Sequence, residues 1–213
     1  MSAVPTTRKG LETRERILTA SRKVVGRDGF VAFRMQDVAQ EAEVSQGALY
    51  RYFENKNDLF LSLIGDIHAA LYEASRATHS NFRDEPFATL RESNYGYLYH
   101  YRANADIMRA FIEATMVNQR LWEMWWWMRK RHIGRFVTAL KRDFSISEVD
   151  GVPIQYIADS LVSASEQSAF VWYAQPVRYE DPIPTETASL ILAQLWFNAI
   201  WNRHDGLEHG EPR

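Results

Sequence analysis

The sequence predicts an all-α fold of about nine helices, and three observations carry that prediction. No segment sustains the period-two alternation of a half-buried strand. Apolar residues instead recur at three- and four-residue spacing, as in Phe60, Leu63, Ile64, Ile67, Leu71 and Ala74. Ten Gly and seven Pro in 213 residues leave long stretches free of helix breakers, and 46% hydrophobic residues can fill a sizeable core. The pattern divides into an arm over 1–12, a three-helix unit over 13–60, a larger helical bundle over 61–203 and a tail over 204–213. The arm is expected to be flexible and basic, with Arg8 and Lys9, and the tail flexible.

Thr13 is the expected cap of a first helix running to about Arg27, with Ile17, Ala20, Val24 and Val25 inward. Gly29 follows where a helix can end at positive φ, and Phe30 folds back on the core. Met35, Val38, Ala39 and Ala42 give the second helix its apolar face. Ser45 caps the third, with Val44 and Leu49 as a hydrophobic staple. Asn55 caps the fourth, with Asp58 in its first turn. Pro86 opens the fifth, the sixth covers 105–116 and the seventh 118–142. The eighth covers 154–174, and the ninth follows Pro182 and Pro184.

The second and third helices form a helix-turn-helix. Leu49 and Phe53 lie one turn apart and turn inward, which leaves Gln46, Gly47, Tyr50 and Arg51 outward. A helix anchored on one side and polar on the other suits the DNA major groove. The net charge of −2 excludes a purely electrostatic nucleic-acid binder, but residues 1–60 hold 10 Lys/Arg against 8 Asp/Glu.

The quoted residues resemble the tetracycline-repressor (TetR) family of one-component regulators. The likeness rests on Gly29-Phe30, Met35-x-Asp37-Val38-Ala39, Ala42-x-Val44-Ser45-x-Gly47-x-Leu49-Tyr50-x-Tyr52-Phe53 and Lys56-x-x-Leu59. It covers about a quarter of the chain, and two departures stand out. Phe33-Arg34 replaces the usual Thr or Ser before the second helix, and Glu43 replaces the Gly of the turn. The resemblance implies an all-α homodimer that binds a double-stranded DNA operator. It places Arg34, Ser45, Gln46, Gly47, Ala48, Tyr50, Arg51, Tyr52 and Lys56 at the DNA, with Lys56 and free backbone N–H groups holding a phosphate. Tyr52 has an equal alternative in core packing against Leu49.

All seven Trp lie beyond residue 120. Trp122, Trp126, Ile133, Phe136, Val137 and Leu140 make one face of the seventh helix. As a group the aromatics suit the walls of an apolar pocket with a few polar anchors. Leu90, Asn94, Tyr97, Trp122, Trp126, Glu166, Phe170 and Trp196 are the expected ligand contacts. Asn94 is the foremost polar anchor; Ser165, Glu166 and Gln167 are further candidates, for which pairing with a neighbouring backbone group or facing water is the favoured alternative. The aromatic spread is loosely similar to the ethionamide-resistance repressor subgroup, which would imply a small hydrophobic or aromatic effector. The ninth helix is too apolar for half-exposure, so a homodimer through the helices near 154–174 and 185–202 is expected.

The six His lack paired-ligand spacing and there is no Cys, so no metal, cofactor or catalytic constellation is expected. No leader and no run of 18 apolar residues is present, which predicts a cytoplasmic protein without a membrane span. The expected function is a ligand-responsive DNA-binding regulator, most simply a repressor. The alternative is a small-molecule carrier or helical interaction protein with a non-functional DNA reader.

Overall fold

The computed structural model describes residues 7–175 and 182–201. Among them nine α-helices account for nearly all regular structure: α1 (Arg8–Ala32), α2 (Met35–Glu41), α3 (Gln46–Tyr52), α4 (Lys56–Ala74), α5 (Pro86–Ala103), α6 (Ala105–Thr115), α7 (Gln119–Phe144), α8 (Ile154–Ala169) and α9 (Thr185–Trp201). A π-helical turn, Phe170–Ala174, extends α8 to the end expected for it. The expected tail over 204–213 lies outside the described residues.

The first helix begins earlier than expected. Thr7 is its cap, with Oγ1 accepting from the Gly10 amide at 3.2 Å, whereas the Thr13 hydroxyl bonds back to the Lys9 carbonyl at 2.8 Å. Residues 8–12 of the expected arm are therefore the first turn and a half of α1. Near the other end, Gly29 takes φ 74°, a backbone that strains any residue with a Cβ, and the chain kinks there.

One hydrophobic core runs from α1 through α2, α3 and α4 into α5, α6, α7 and α9, with Ile17, Leu49, Phe60, Leu98, Phe111 and Leu192 all within 2% of complete burial. The boundary expected at residue 60 thus falls inside α4, whose first turns pack on the end of α1 and whose later turns pack on α5 and α7. A second cluster joins Ile133, Val137 and Leu140 of α7 to Ile154, Ala158, Leu161 and Val162 of α8 and Ile200 of α9.

Two close approaches fix the helices around α4. A Cβ on Gly96 of α5 would overlap the Ala74 carbonyl oxygen, so only Gly lets α5 cross the end of α4. The Arg22 guanidinium of α1 donates to the Asn104 side chain ahead of α6, which joins the first helix to the bundle. The segment between α7 and α8, expected as a loop, holds a two-residue antiparallel pair, Glu148↔Pro153 and Val149↔Val152. Its turn places Asp150 at φ 51° and Gly151 at φ 76°, the left-handed pair a tight hairpin needs.

Candidate nucleic-acid face and the cavity behind it

The reader helix is held from beneath and capped at its start. Leu49 is fully buried and Phe53 is 1% exposed, which contributes about 1.5–3 kcal/mol each. Ser45 Oγ accepts from the Ala48 amide at 3.1 Å, so Ser45 acts first as a cap. Gln46, Gly47, Tyr50 and Arg51 are exposed on the outer side, while Ala48 and Tyr52 are half-buried. Tyr52 packs against the core, as in the second of its two readings. Nothing lies within 4 Å of where a Gly47 Cβ would be. No intramolecular contact among the described residues therefore requires glycine there, although glycine weakens a helix by up to about 1 kcal/mol.

Arg34 occupies the cap position of α2 without a side-chain cap bond, the loss expected from its replacing Ser or Thr. Glu43 sits in the turn at φ 52°, the strained conformation expected where Gly is usual. Asn55 caps α4, with Asn55 Oδ1 accepting from the Asp58 amide at 3.0 Å, while Asp58 Oδ2 reaches past the cap to accept from the Glu54 amide at 3.1 Å.

Lys56 has an intramolecular role besides the one expected of it. Its ammonium donates to the Val31 carbonyl at 2.8 Å and sits 4.9 Å and 4.5 Å from the ring centroids of Phe30 and Phe33. Burial lowers its pKa from the ordinary lysine value. It ties the start of α4 to the end of α1 before it can serve any phosphate. Arg34, Gln46, Tyr50 and Lys56 nonetheless border one shared depression of roughly 540 Å³ between the ends of α1, α2 and α3.

A larger cavity of roughly 730 Å³ opens among α4, α5, α7, α8 and α9. Five of the eight expected ligand residues line it: Leu90, Asn94, Tyr97, Glu166 and Trp196. Asn94 is 7% exposed and donates its Nδ2 to the Leu90 carbonyl at 2.9 Å, which leaves Oδ1 as the acceptor. The α8 trio divides. Ser165 accepts from Trp196 Nε1 at 2.9 Å, Gln167 is exposed, and Glu166 is bound by Arg129 of α7. Burial pushes the Glu166 carboxyl up to about 7, against the opposing pull of Arg129.

Trp122, Trp126 and Phe170 lie elsewhere. Trp122 and Trp126 are 46% and 38% exposed and stack on each other at 6.2 Å with 4° between their planes. Their helical face is the one Ile133 and Val137 bury farther along, whereas at this end of α7 the buried residue is Leu121, on another side. Phe170 packs against the main core at the start of the π-helical turn.

Phe136, from the expected apolar face of α7, lines the wall, and so do Tyr72, Phe82, His132 and Arg135, which no local pattern singles out in the sequence. Arg129 is a further residue that sequence reasoning missed. It is 5% exposed and donates to Asp159 Oδ1 at 2.7 Å and to the Ser163 hydroxyl as well as to Glu166. An arginine between Trp125 and Ile133 at helical spacing is the available signal. His132 is held near 3, mainly by burial and then by His68, Arg135 and Arg131, so its imidazole is neutral at physiological pH.

Residues 17–63, which span this helix-turn-helix and the start of α4, match the profile of the bacterial regulatory proteins of the tetR family. This N-terminal unit belongs to the tetR family. The chain is 43% identical over 54 residues to the HTH-type transcriptional repressor KstR of Mycolicibacterium smegmatis, covering 25% of this chain and 26% of that one. It is 32% identical over 113 residues to the HTH-type transcriptional repressor BepR of Brucella suis, covering 51% of each. The chain thus matches about half or less of the length of these relatives. In overall fold it is similar to a TetR-like transcriptional regulator from Rhodococcus, with a TM-score of 0.66 at 23% identity over 87% of this chain and 94% of that one. The tetR-family match stops before the cavity, whereas the fold likeness extends across it. No described helix is long and apolar enough to cross a membrane.

Proposed function

We propose that the chain is a ligand-responsive DNA-binding transcriptional regulator, acting as a repressor that a small hydrophobic effector releases from its operator. The observation that carries this is the path of α4. It starts at Asn55 and Lys56 beside the depression bordered by Arg34, Gln46 and Tyr50, and it ends at Tyr72 and Ser75, which line the large cavity. A ligand that favours one position of the α4 C-terminal end also favours one position of the reader, which is a population shift between two states. Arg34, Gln46, Gly47, Tyr50 and Arg51 are the proposed DNA contacts. Ser45, Ala48, Tyr52 and Lys56 build the surface that presents them.

Binding to a pseudo-palindromic operator requires two readers about 34–36 Å apart. The proposed homodimer uses α8 and α9, where Tyr156, Ile191 and Leu195 are exposed at 67%, 42% and 43%. Selection of bound sequences from random DNA, with and without a library of apolar compounds, tests the whole reading. The expected result is one enriched palindromic motif whose occupancy falls with a compound that also raises the melting temperature. Tyr50→Ala should abolish the enrichment while leaving the melting temperature within about 0.5 kcal/mol of equivalent stability. A motif bound equally well by the Tyr50→Ala chain would defeat the assignment of the reader.

A further inference from the structure

The wall of the large cavity is chemically uneven. Tyr72, Phe82, Tyr97, Phe136 and Trp196 supply aromatic surface, and among the described residues Glu166 is the only acidic one in the lining. Among the cationic lining residues Arg76 is paired with Glu73 and Arg142 with Asp143, while Arg135 donates to the neutral Tyr72 and Ser75 carbonyls on the α4 side of the wall and keeps its charge there; the charges acting on Glu166 itself are Arg129 and Asp159. Glu166 has Arg129, but Arg129 also binds Asp159 at 2.7 Å. Two carboxylates therefore share one buried guanidinium, and the cluster is negative by one charge when both are ionised. The remaining titratable groups around Glu166 add no cation. Tyr97 and Tyr101 of α5 are neutral phenols, raised first by burial and then by the Glu166 charge, and His132 of α7 is neutral.

We propose that this cavity selects a ligand with an aromatic or alicyclic body bearing a protonated amine, and that the ammonium binds Glu166. The inference rests on the reading of the cavity as the effector site and names the effector's chemical class. An ammonium supplies the charge the Arg129–Asp159–Glu166 cluster lacks, and the surrounding rings favour a cation further. Asn94 Oδ1 offers a second acceptor in the same wall. A ligand carboxylate entering the Glu166 end meets like charge, and Arg129 there is already shared by two carboxylates.

The test is calorimetry on the full chain with three compounds that share one ring system: anthracenylmethylamine, anthracenylmethanol and anthracene carboxylate. At about pH 8 the amine should bind on the order of tenfold more tightly than the alcohol, with the carboxylate weakest. Glu166→Gln should remove the advantage of the amine and leave the alcohol unchanged. The wild-type chain supplies an independent measure: lowering the pH to about 6 protonates Glu166 and should shrink the amine's advantage while the amine itself stays charged. A carboxylate that binds as tightly as the amine, or an advantage that survives both Glu166→Gln and the lower pH, overturns the ligand class and leaves the cavity as an apolar ligand site. If none of the three compounds binds, the ligand class is overturned, while the effector-site reading stands or falls on the library of apolar compounds.

Discussion

Arg135 of α7 donates to the backbone carbonyl of Tyr72, at the end of α4, over 2.8 Å. The same guanidinium reaches the Ser75 carbonyl at 3.0 Å and the Ser75 hydroxyl at 2.5 Å. Carbonyls in the last turn of a helix have no partner within it, and they carry the negative end of the helix dipole. A single cation thus closes α4 at the end opposite its Asn55 cap. Because Arg135 and Tyr72 both line the large cavity, the closure lies where a bound ligand would act on it.

Arg135→Met tests that closure. The substitution keeps much of the aliphatic stem but takes the guanidinium from the Ser75 carbonyl and leaves the Tyr72 carbonyl with the Ser75 hydroxyl as its remaining donor, at 3.0 Å. The expected loss is about 1–3 kcal/mol in chemical denaturation. Amide exchange in the last turn of α4 should accelerate more than exchange in its first turn. An unchanged midpoint together with unchanged exchange over residues 70–75 would show that the contact carries no stability.

Gly47 separates stability from recognition. Since no described residue occupies the space beside it, Gly47→Ala should raise helix stability by up to about 1 kcal/mol. The added methyl stands on the outer face of the reader, so DNA affinity measured by fluorescence anisotropy should fall even as the melting temperature rises. A variant that melts higher and binds operator DNA as well as the wild type would mean that no backbone approaches this position.

Glu43 holds a left-handed turn with φ 52°. Glu43→Gly relieves that strain and removes a negative charge beside the reader, while slightly enlarging the freedom of the unfolded chain. The net expectation is a gain of about 0.5–1 kcal/mol, which for a chain of this size raises the melting temperature by about 1–4 °C. A lower melting temperature would show that the Glu43 side chain contributes more than its backbone costs.

Features set by near neighbours along the chain are legible in the sequence itself. Ser45, Leu49, Asn55 and Asp58 act within four residues of themselves, and each stands in its expected role. The anchoring role of Lys56 is not legible, because its partner, the Val31 carbonyl, is 25 residues away and becomes a neighbour only when α4 folds against α1. Arg129 and Arg135 are hidden for the same reason, with partners 30–37 and 60–63 residues away. Periodicity groups Trp122 and Trp126 with Ile133 on one face of α7. What it cannot encode is which stretch of that face a distant segment covers: Ile133 and Val137 pack with α8, whereas Trp122 and Trp126 stay exposed.

The buried imidazoles set the response to acid. His68 is pushed down to about 4, chiefly by burial and then by Arg131, and its Nε2 has no hydrogen-bond partner among the described residues. His132, 5.4 Å away between ring centroids, is pushed down to about 3. Both titrate near 6.5 once unfolded, so below that pH the unfolded chain binds two protons that the folded chain refuses. Their contribution is intact at neutral pH and is lost as the pH falls toward the folded values. Glu166 acts oppositely. Its folded value of about 7 exceeds the ordinary 4.5, so the folded chain holds one proton in that window that the unfolded chain has released. The balance is small at pH 6.5, where the unfolded imidazoles are half protonated, and approaches one proton near pH 5, which predicts a loss of stability that steepens to roughly 1.4 kcal/mol per unit at the acid end of that range. His132→Gln removes one imidazole from the balance and should flatten that slope almost completely. Urea denaturation of both chains across this range measures the two slopes directly, and equal slopes would sink the assignment to the His68–His132 pair.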